Sequence, residues 1–271
     1  MNTELLRSPA GLALPPGRTI ASEEGAGDVA ALWMSDDAVT AGLWAQLLAE
    51  HATSGLWPLL LDSLHPGDDE FRPWGSGELY PEDMSSPRSH SPAELLAGWW
   101  EKHTDAGGEG GAAQAPDGLP AATVPFGRTW PGFAPGREPA TDPDQVAAAF
   151  AQVFAARRPY VRLGLVAAGS GADALAAVGW SGPMNYDNDT AKYAAVVRDW
   201  ERRFGARVVA AGFATLHLSI AAPPTTEEDA LLVAAEHFAV CPDILWQGPH
   251  PSLASYAEQL IGAGNWELWW D

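Results

Sequence analysis

The chain has 271 residues, 46% of them hydrophobic, which is enough to bury a sizeable core in one large domain or two small ones and excludes global disorder. Fifteen basic against 35 acidic residues give a net charge of -20, a surface that repels a phosphate backbone and argues against nucleic acid as a partner. No apolar run approaches the roughly 18 residues of a membrane span, and the single cysteine excludes an internal disulfide, so a cytoplasmic, membrane-free protein is expected.

At the start, the apolar patch Leu12–Leu14 is cut short by Pro15 and Pro16, too early for a signal-peptide core. Val29–Met34 is expected as a strand and Ala41–Glu50 as a helix capped by Thr40, with Leu43, Leu47 and Leu48 on one side. Leu56–Leu61, LWPLLL, completes a β-α-β region as a buried strand, in which Pro58 argues for a sheet edge or for the first residues of the strand. Residues 65–92 are turn-rich and acidic, and Ala93–Lys102 follows as a helix with Ser91 at its cap and Pro92 at its first position. Residues 104–141 shift to Gly, Ala and Pro without periodicity. That shift divides the chain into an N-terminal α/β region, 1–103, a loop or linker that Trp130 and Phe133 pin down, and a C-terminal domain, 142–271.

The second part is more regular. Asp142 and Gln145 open a helix in capping-box style, Tyr160–Val166 alternates as a strand, and Ala172–Val178 is a short helix. Thr190–Phe204 carries an apolar stripe of Tyr193, Val196, Val197, Trp200 and Phe204 and stops at Gly205. Arg207–Ala211 and Thr215–Ile220 suit a hairpin, with Leu216, Leu218 and Ile220 on one face and Thr215, His217 and Ser219 on the other, where His217 could serve as a base but solvent exposure is expected for it. Thr225-Thr226-Glu227-Glu228 caps another helix, Leu253–Ile261 is the last one, and Asn265–Asp271 is an aromatic edge strand. The fold class expected is α/β or α+β, a mixed sheet flanked by helices.

Residues 234–243, AAEHFAVCPD, set Glu236, His237, Cys241 and Asp243 close together. His237 and Cys241 share a helix face, yet Pro242 places the thiol at a helix C-terminus, where the dipole disfavours a thiolate. The stretch therefore reads as a helix end first and a site second, and neither metal nor cofactor is expected. Gly169-Ser170-Gly171-Ala172-Asp173-Ala174 fits a dinucleotide fingerprint, but Asp173 would oppose a phosphate, so a plain strand-to-helix turn is favoured. Asn185, Tyr186, Asp187, Asn188 and Asp189 cap the next helix and form a rim where Trp180 and Tyr186 can stack. Trp246, Trp269 and Asp271 are further candidates for contact with a ligand or partner. Trp269 points away from the core face of its strand and needs a cover.

Residues 208–271 contain no Lys or Arg but eight acids, an asymmetry that suits a basic protein partner. Arg203-Phe-Gly-Ala206, Ala222-Pro-Pro-Thr-Thr226, the CPD of 241–243, Gln247-Gly248 and the closing WELWWD resemble the DUF4253 family, a bacterial domain of unknown function, over roughly residues 160–271. That resemblance implies a shared fold unit with no assigned activity. The leading expectation is an acidic binding protein, immunity- or antitoxin-like, that recognises a basic partner. The alternatives are a hydrolase-type or metal-assisted enzyme using Glu236, His237 and Asp243 near His217, or a small-ligand domain with an aromatic cleft.

Overall fold

The structure, a computed structural model, describes residues 14–22, 29–105 and 121–271. Its centre is a seven-stranded mixed sheet of order β1-β2-β4-β3-β5-β6-β7. The strands are β1 (Gly17–Ala21), β2 (Ala30–Ala38), β3 (Leu56–Leu61), β4 (Arg162–Ala167), β5 (Ala206–Ala211), β6 (Thr215–Ile220) and β7 (Asn265–Trp269). All neighbours are antiparallel except β3 and β5. The class is α+β with flanking helices.

In the N-terminal β-α-β unit, helix α1 (Ala41–Ser54) joins β2 to β3 and stops at Gly55, whose left-handed backbone (φ 67°) returns its N–H to His51 O. Between β2 and β3 lies β4, so strands from both sides of residues 104–141 interleave. The compositional division of the chain is therefore not a division of the sheet. Of the 104–141 stretch, 106–120 lies outside the described residues, as do Leu12 and Ala13 of the apolar patch near the start.

Pro58 is not at an edge. LWPLLL is buried along its whole length between β4 and β5, as a run apolar on both faces requires. The missing donor is tolerated because the ladder to β5 is confined to Leu60 and Leu61. Below it, Trp57 Nε1 donates to Val208 O at 3.1 Å, so an indole bridges the two strands beside the proline. The described edges are β1, which the alternation of the sequence does not announce, and β7.

Two layers of helices cover the sheet, and β6 shows which residues face which. His217 meets Phe154 of α3 (Pro143–Arg157), ring centroids 4.7 Å apart. Leu218 points to the other face, and its register partner Trp266 packs there on Trp200 and Phe204 of α5 (Thr190–Phe204) and on His237 of α6 (Glu227–Val240). Helices α2 (Pro92–Asp105), α4 (Gly171–Ala177), α7 (Asp243–Trp246) and α8 (Leu253–Leu260) complete the fold. Among the described residues, no helix is long and apolar enough to cross a membrane.

Local sequence explains the boundaries. Side chains of Asp142, Ser170, Asp189, Thr226 and Ser252 cap α3, α4, α5, α6 and α8 by accepting a backbone N–H of the first turn. Trp130 packs on Trp100 and Phe133 lies against the Arg203 guanidinium, which fastens the stretch before α3 to the helical layer.

Candidate functional site: an acidic aromatic cleft at one end of the sheet

Parallel β3 and β5 end side by side, Leu61 opposite Ala211. From there the chain continues to β4 on one side and to β6 on the other. Such a divergence at the carboxyl ends of parallel strands leaves a crevice that side chains of neighbouring loops can line. A cleft of about 500 Å³ occupies this place. Its walls come from the residues after β3, the turn before β4, the β5–β6 hairpin and the end of β7.

Each wall is held by backbone contacts. Asp62 N–H donates to Ala211 O at 2.9 Å, and Asp62 O accepts from Trp74 Nε1 at 2.9 Å, so the residue after β3 is fixed between strand and loop. Arg72 and Glu78 brace the 65–80 loop through a two-pronged ion pair. The loop docks where Tyr80 N–H donates to Gly179 O at 2.8 Å. Gly179 has φ 65°, and a Cβ there would meet Tyr80 backbone at 2.0 Å, so only glycine permits this approach. On the opposite side, Trp270 N–H donates to Ala214 O at 3.0 Å and its indole to Val240 O at 3.1 Å.

The floor is charged. Asp62 is buried, pairs through Oδ2 with Arg158 Nε at 3.0 Å, and leaves Oδ1 without a hydrogen-bond partner. Burial raises its pKa, against the opposing pull of Arg158. Tyr160, beside the pair, has its hydroxyl pushed up mainly by burial. His217 is buried with Nδ1 3.5 Å from Glu267 Oε2, and burial drives its pKa down to about 3, so the ring is neutral. At the mouth stand Leu64, Met184 and Trp269, 44%, 40% and 38% exposed, among the largest apolar groups left in solvent. Apart from Arg158, no Lys or Arg among the described residues lines the cleft, whereas Glu267 and Asp271 add carboxylates that no Lys or Arg there neutralises.

Of the residues singled out by sequence, Asn185, His217, Trp269 and Asp271 line this cleft. Asp243 and Tyr186 lie behind it, where Asp243 accepts from the Tyr186 hydroxyl at 2.7 Å, Gln247 Nε2 at 3.0 Å and Asp271 N–H at 3.0 Å. Trp180 is buried and donates to Gly212 O, and Trp246 packs edge-on to His103 and Phe238. Asp187 pairs with Lys192, and Asp189 caps α5 while holding Ser85.

Glu236, His237 and Asp243 do not converge. Glu236 is fully buried and accepts from Arg203, Trp200 Nε1 and Ala134 N–H. His237 bonds the Tyr256 hydroxyl at 2.9 Å, and burial lowers its pKa to about 3. Cys241 is buried, its thiol donating to Trp269 O at 2.8 Å and its pKa pushed up by burial. His217 lies across the sheet from all of them. Exposure was the expectation for His217 on its alternating strand; α3 buries it instead.

Ser85, His90 and Asp189 do gather at the surface, with Ser85 Oγ 2.6 Å from both His90 Nε2 and Asp189 Oδ2. The nitrogen nearest Asp189 is that same Nε2, at 3.6 Å, so the carboxylate does not orient the ring through its second nitrogen as a nucleophilic triad requires. Among the described residues no three His, Cys, Asp or Glu side chains form a metal-holding group.

Sequence reasoning missed Asp62, Arg158, Tyr160 and Glu267. The signal for Asp62 was an acid directly after a fully apolar strand; nothing local joins it to Arg158, 96 residues on. No curated protein and no solved structure matches the chain. Residues 162–271, from β4 onward, match the model of the DUF4253 family, a domain of unknown function.

Proposed function

We propose that this protein is a binding protein that recognises a basic partner at the cleft and along the adjoining edge of β7. The observation that carries the reading is Trp269, a large aromatic group exposed on an edge strand between two carboxylates, Glu267 and Asp271. An apolar ring beside uncompensated negative charge suits a cationic side chain, which gains from the π face and the carboxylates together. The cleft draws on both parts of the chain: His217, Glu267, Trp269 and Asp271 lie within the family match, Asp62, Arg158 and Tyr160 before it. An immunity- or antitoxin-like protein would hold a basic partner by this kind of complementarity. Catalysis through Glu236, His237 and Asp243 has less support, because each is occupied by structural partners.

A titration with a lysine- and arginine-rich peptide, against an acidic peptide of equal length, tests the proposal through tryptophan fluorescence. The basic peptide is expected to bind and the acidic one not. Its affinity should fall at least about tenfold between 50 and 300 mM NaCl, since exposed charges are screened over about 10 Å at 0.1 M. Binding that ignores salt, or that survives Trp269→Ala unchanged, would sink the reading.

A further inference from the structure

Asp62 is the most unusual group in the cleft at the ends of β3 and β5. It is 8% exposed, one carboxylate oxygen is engaged by Arg158, and the other is sealed from solvent without a hydrogen bond of its own, although the Tyr160 hydroxyl and Ser63 N–H lie close enough to the group to pull its pKa down against burial. A buried acceptor without a donor is costly, and interiors rarely leave one. Trp100 Nε1, Ser219 Oγ, His237 Nε2 and Trp266 Nε1 are likewise buried without a hydrogen-bond partner, the two indoles as donors, but only Asp62 is a carboxyl group in the cleft wall.

The surrounding charge says which donor fits. Arg158 is neutralised by Asp62 itself and lies over the Phe154 ring, 4.4 Å from its centroid. Glu267 and Asp271 remain as negative charge on the same cleft, and His217 brings none to oppose them. The mouth is apolar, built from Leu64, Met184 and Trp269. A ligand that satisfies all of this carries N–H donors and positive charge at its tip and an aliphatic stem behind it.

Resting on the proposed recognition of a basic partner, we propose that the cleft is a socket for a single ammonium or guanidinium group, the end of a lysine or arginine side chain. The tip lies between Glu267 and the Asp62 carboxylate, which it shares with Arg158, and the stem packs on Leu64, Met184 and Trp269. A free diamine has the same chemistry at its ends, so the two sources are told apart by experiment.

The test is calorimetric titration of the full chain with N-acetyl-lysine methylamide, N-acetyl-arginine methylamide, 1,4-diaminobutane and the uncharged N-acetyl-norleucine methylamide. At least one of the two basic amides is expected to bind ten or more times tighter than the norleucine compound. Asp62→Asn, checked for an unchanged melting temperature, should reduce that ratio toward one. Glu267→Gln, at an exposed side chain that does not risk the fold, should reduce it severalfold. Tighter binding of the amides than of the diamine supports a partner's side chain. The reverse order overturns that source, and a norleucine compound that binds equally well, or variants that keep the full ratio, overturns the socket. If the basic peptide binds while the socket fails, recognition is by the outer face alone; if the basic peptide also fails, the reading of a basic partner falls with it.

Discussion

His103, His217 and His237 are buried, and burial holds their pKa values at about 4, 3 and 3, below the ordinary 6.5. In the unfolded chain each ring takes up a proton as pH drops through about 6.5. Between that pH and the folded values the unfolded state binds more protons, so stability is full above about pH 6.5 and declines as pH falls. The slope is about 1.4 kcal/mol per pH unit for each histidine. Asp62, Glu201 and Glu236, raised by burial, bind protons earlier in the folded state and offset part of the decline. Urea unfolding should therefore show a loss of about 3–5 kcal/mol between pH 7 and pH 5. An unchanged midpoint would mean that these rings are solvated. None of this was legible residue by residue. Alternation in TLHLSI separates His217 from Leu216 and Leu218, but only the packing of α3 decides that both faces are covered.

At the scale of elements, Arg203 and Glu236 join α5, α6 and the extended stretch before α3. Arg203 pairs with Asp199 and Glu236 and donates to Ala134 O at 2.9 Å, while Arg137 N–H donates to Arg203 O at 2.9 Å. Removing one partner of a buried pair strands the other, so Arg203→Met should cost about 3–5 kcal/mol in urea unfolding. The double variant Arg203→Met with Glu236→Leu should recover part of that loss, because it removes the uncompensated charge but leaves Trp200 Nε1 and Ala134 N–H without their acceptor. A double variant as unstable as the single one would show that shape, not charge, fastens the stretch. Elements with strong local signals match expectation: α5 runs Thr190–Phe204 between its Asp189 cap and Gly205, and β6 is Thr215–Ile220. Weak ones do not. β1 is five residues, GRTIA, exposed over its first three, and Pro58 can be central because the ladder from β3 to β5 is confined to Leu60 and Leu61.

The whole molecule depends on contacts that no local pattern encodes. Placing β4 between β2 and β3 joins the two compositional halves into one sheet and brings Arg158 and Tyr160 to Asp62. Helix caps and strand periods could announce the pieces, and the aromatic edge strand could be seen in WELWW, yet the cleft exists only through that order. Net charge was readable at once, and its consequence is global. With -20 spread over a chain of this size, like charges repel in the folded state, and burial of the few cations in ion pairs, as with Arg203, leaves the excess unrelieved. Salt shortens the reach of this repulsion from about 30 Å at 0.01 M to about 10 Å at 0.1 M. The melting temperature should therefore rise by a few degrees as NaCl goes from 10 to 150 mM at pH 7, and flatten beyond. Surface ion pairs such as Arg18–Asp36 are weakened by the same salt, but at roughly 0–1 kcal/mol each they count for less than the summed repulsion. A melting temperature that falls over this range would reverse the ranking and show that local pairs, not the acidic excess, dominate the electrostatics of the fold.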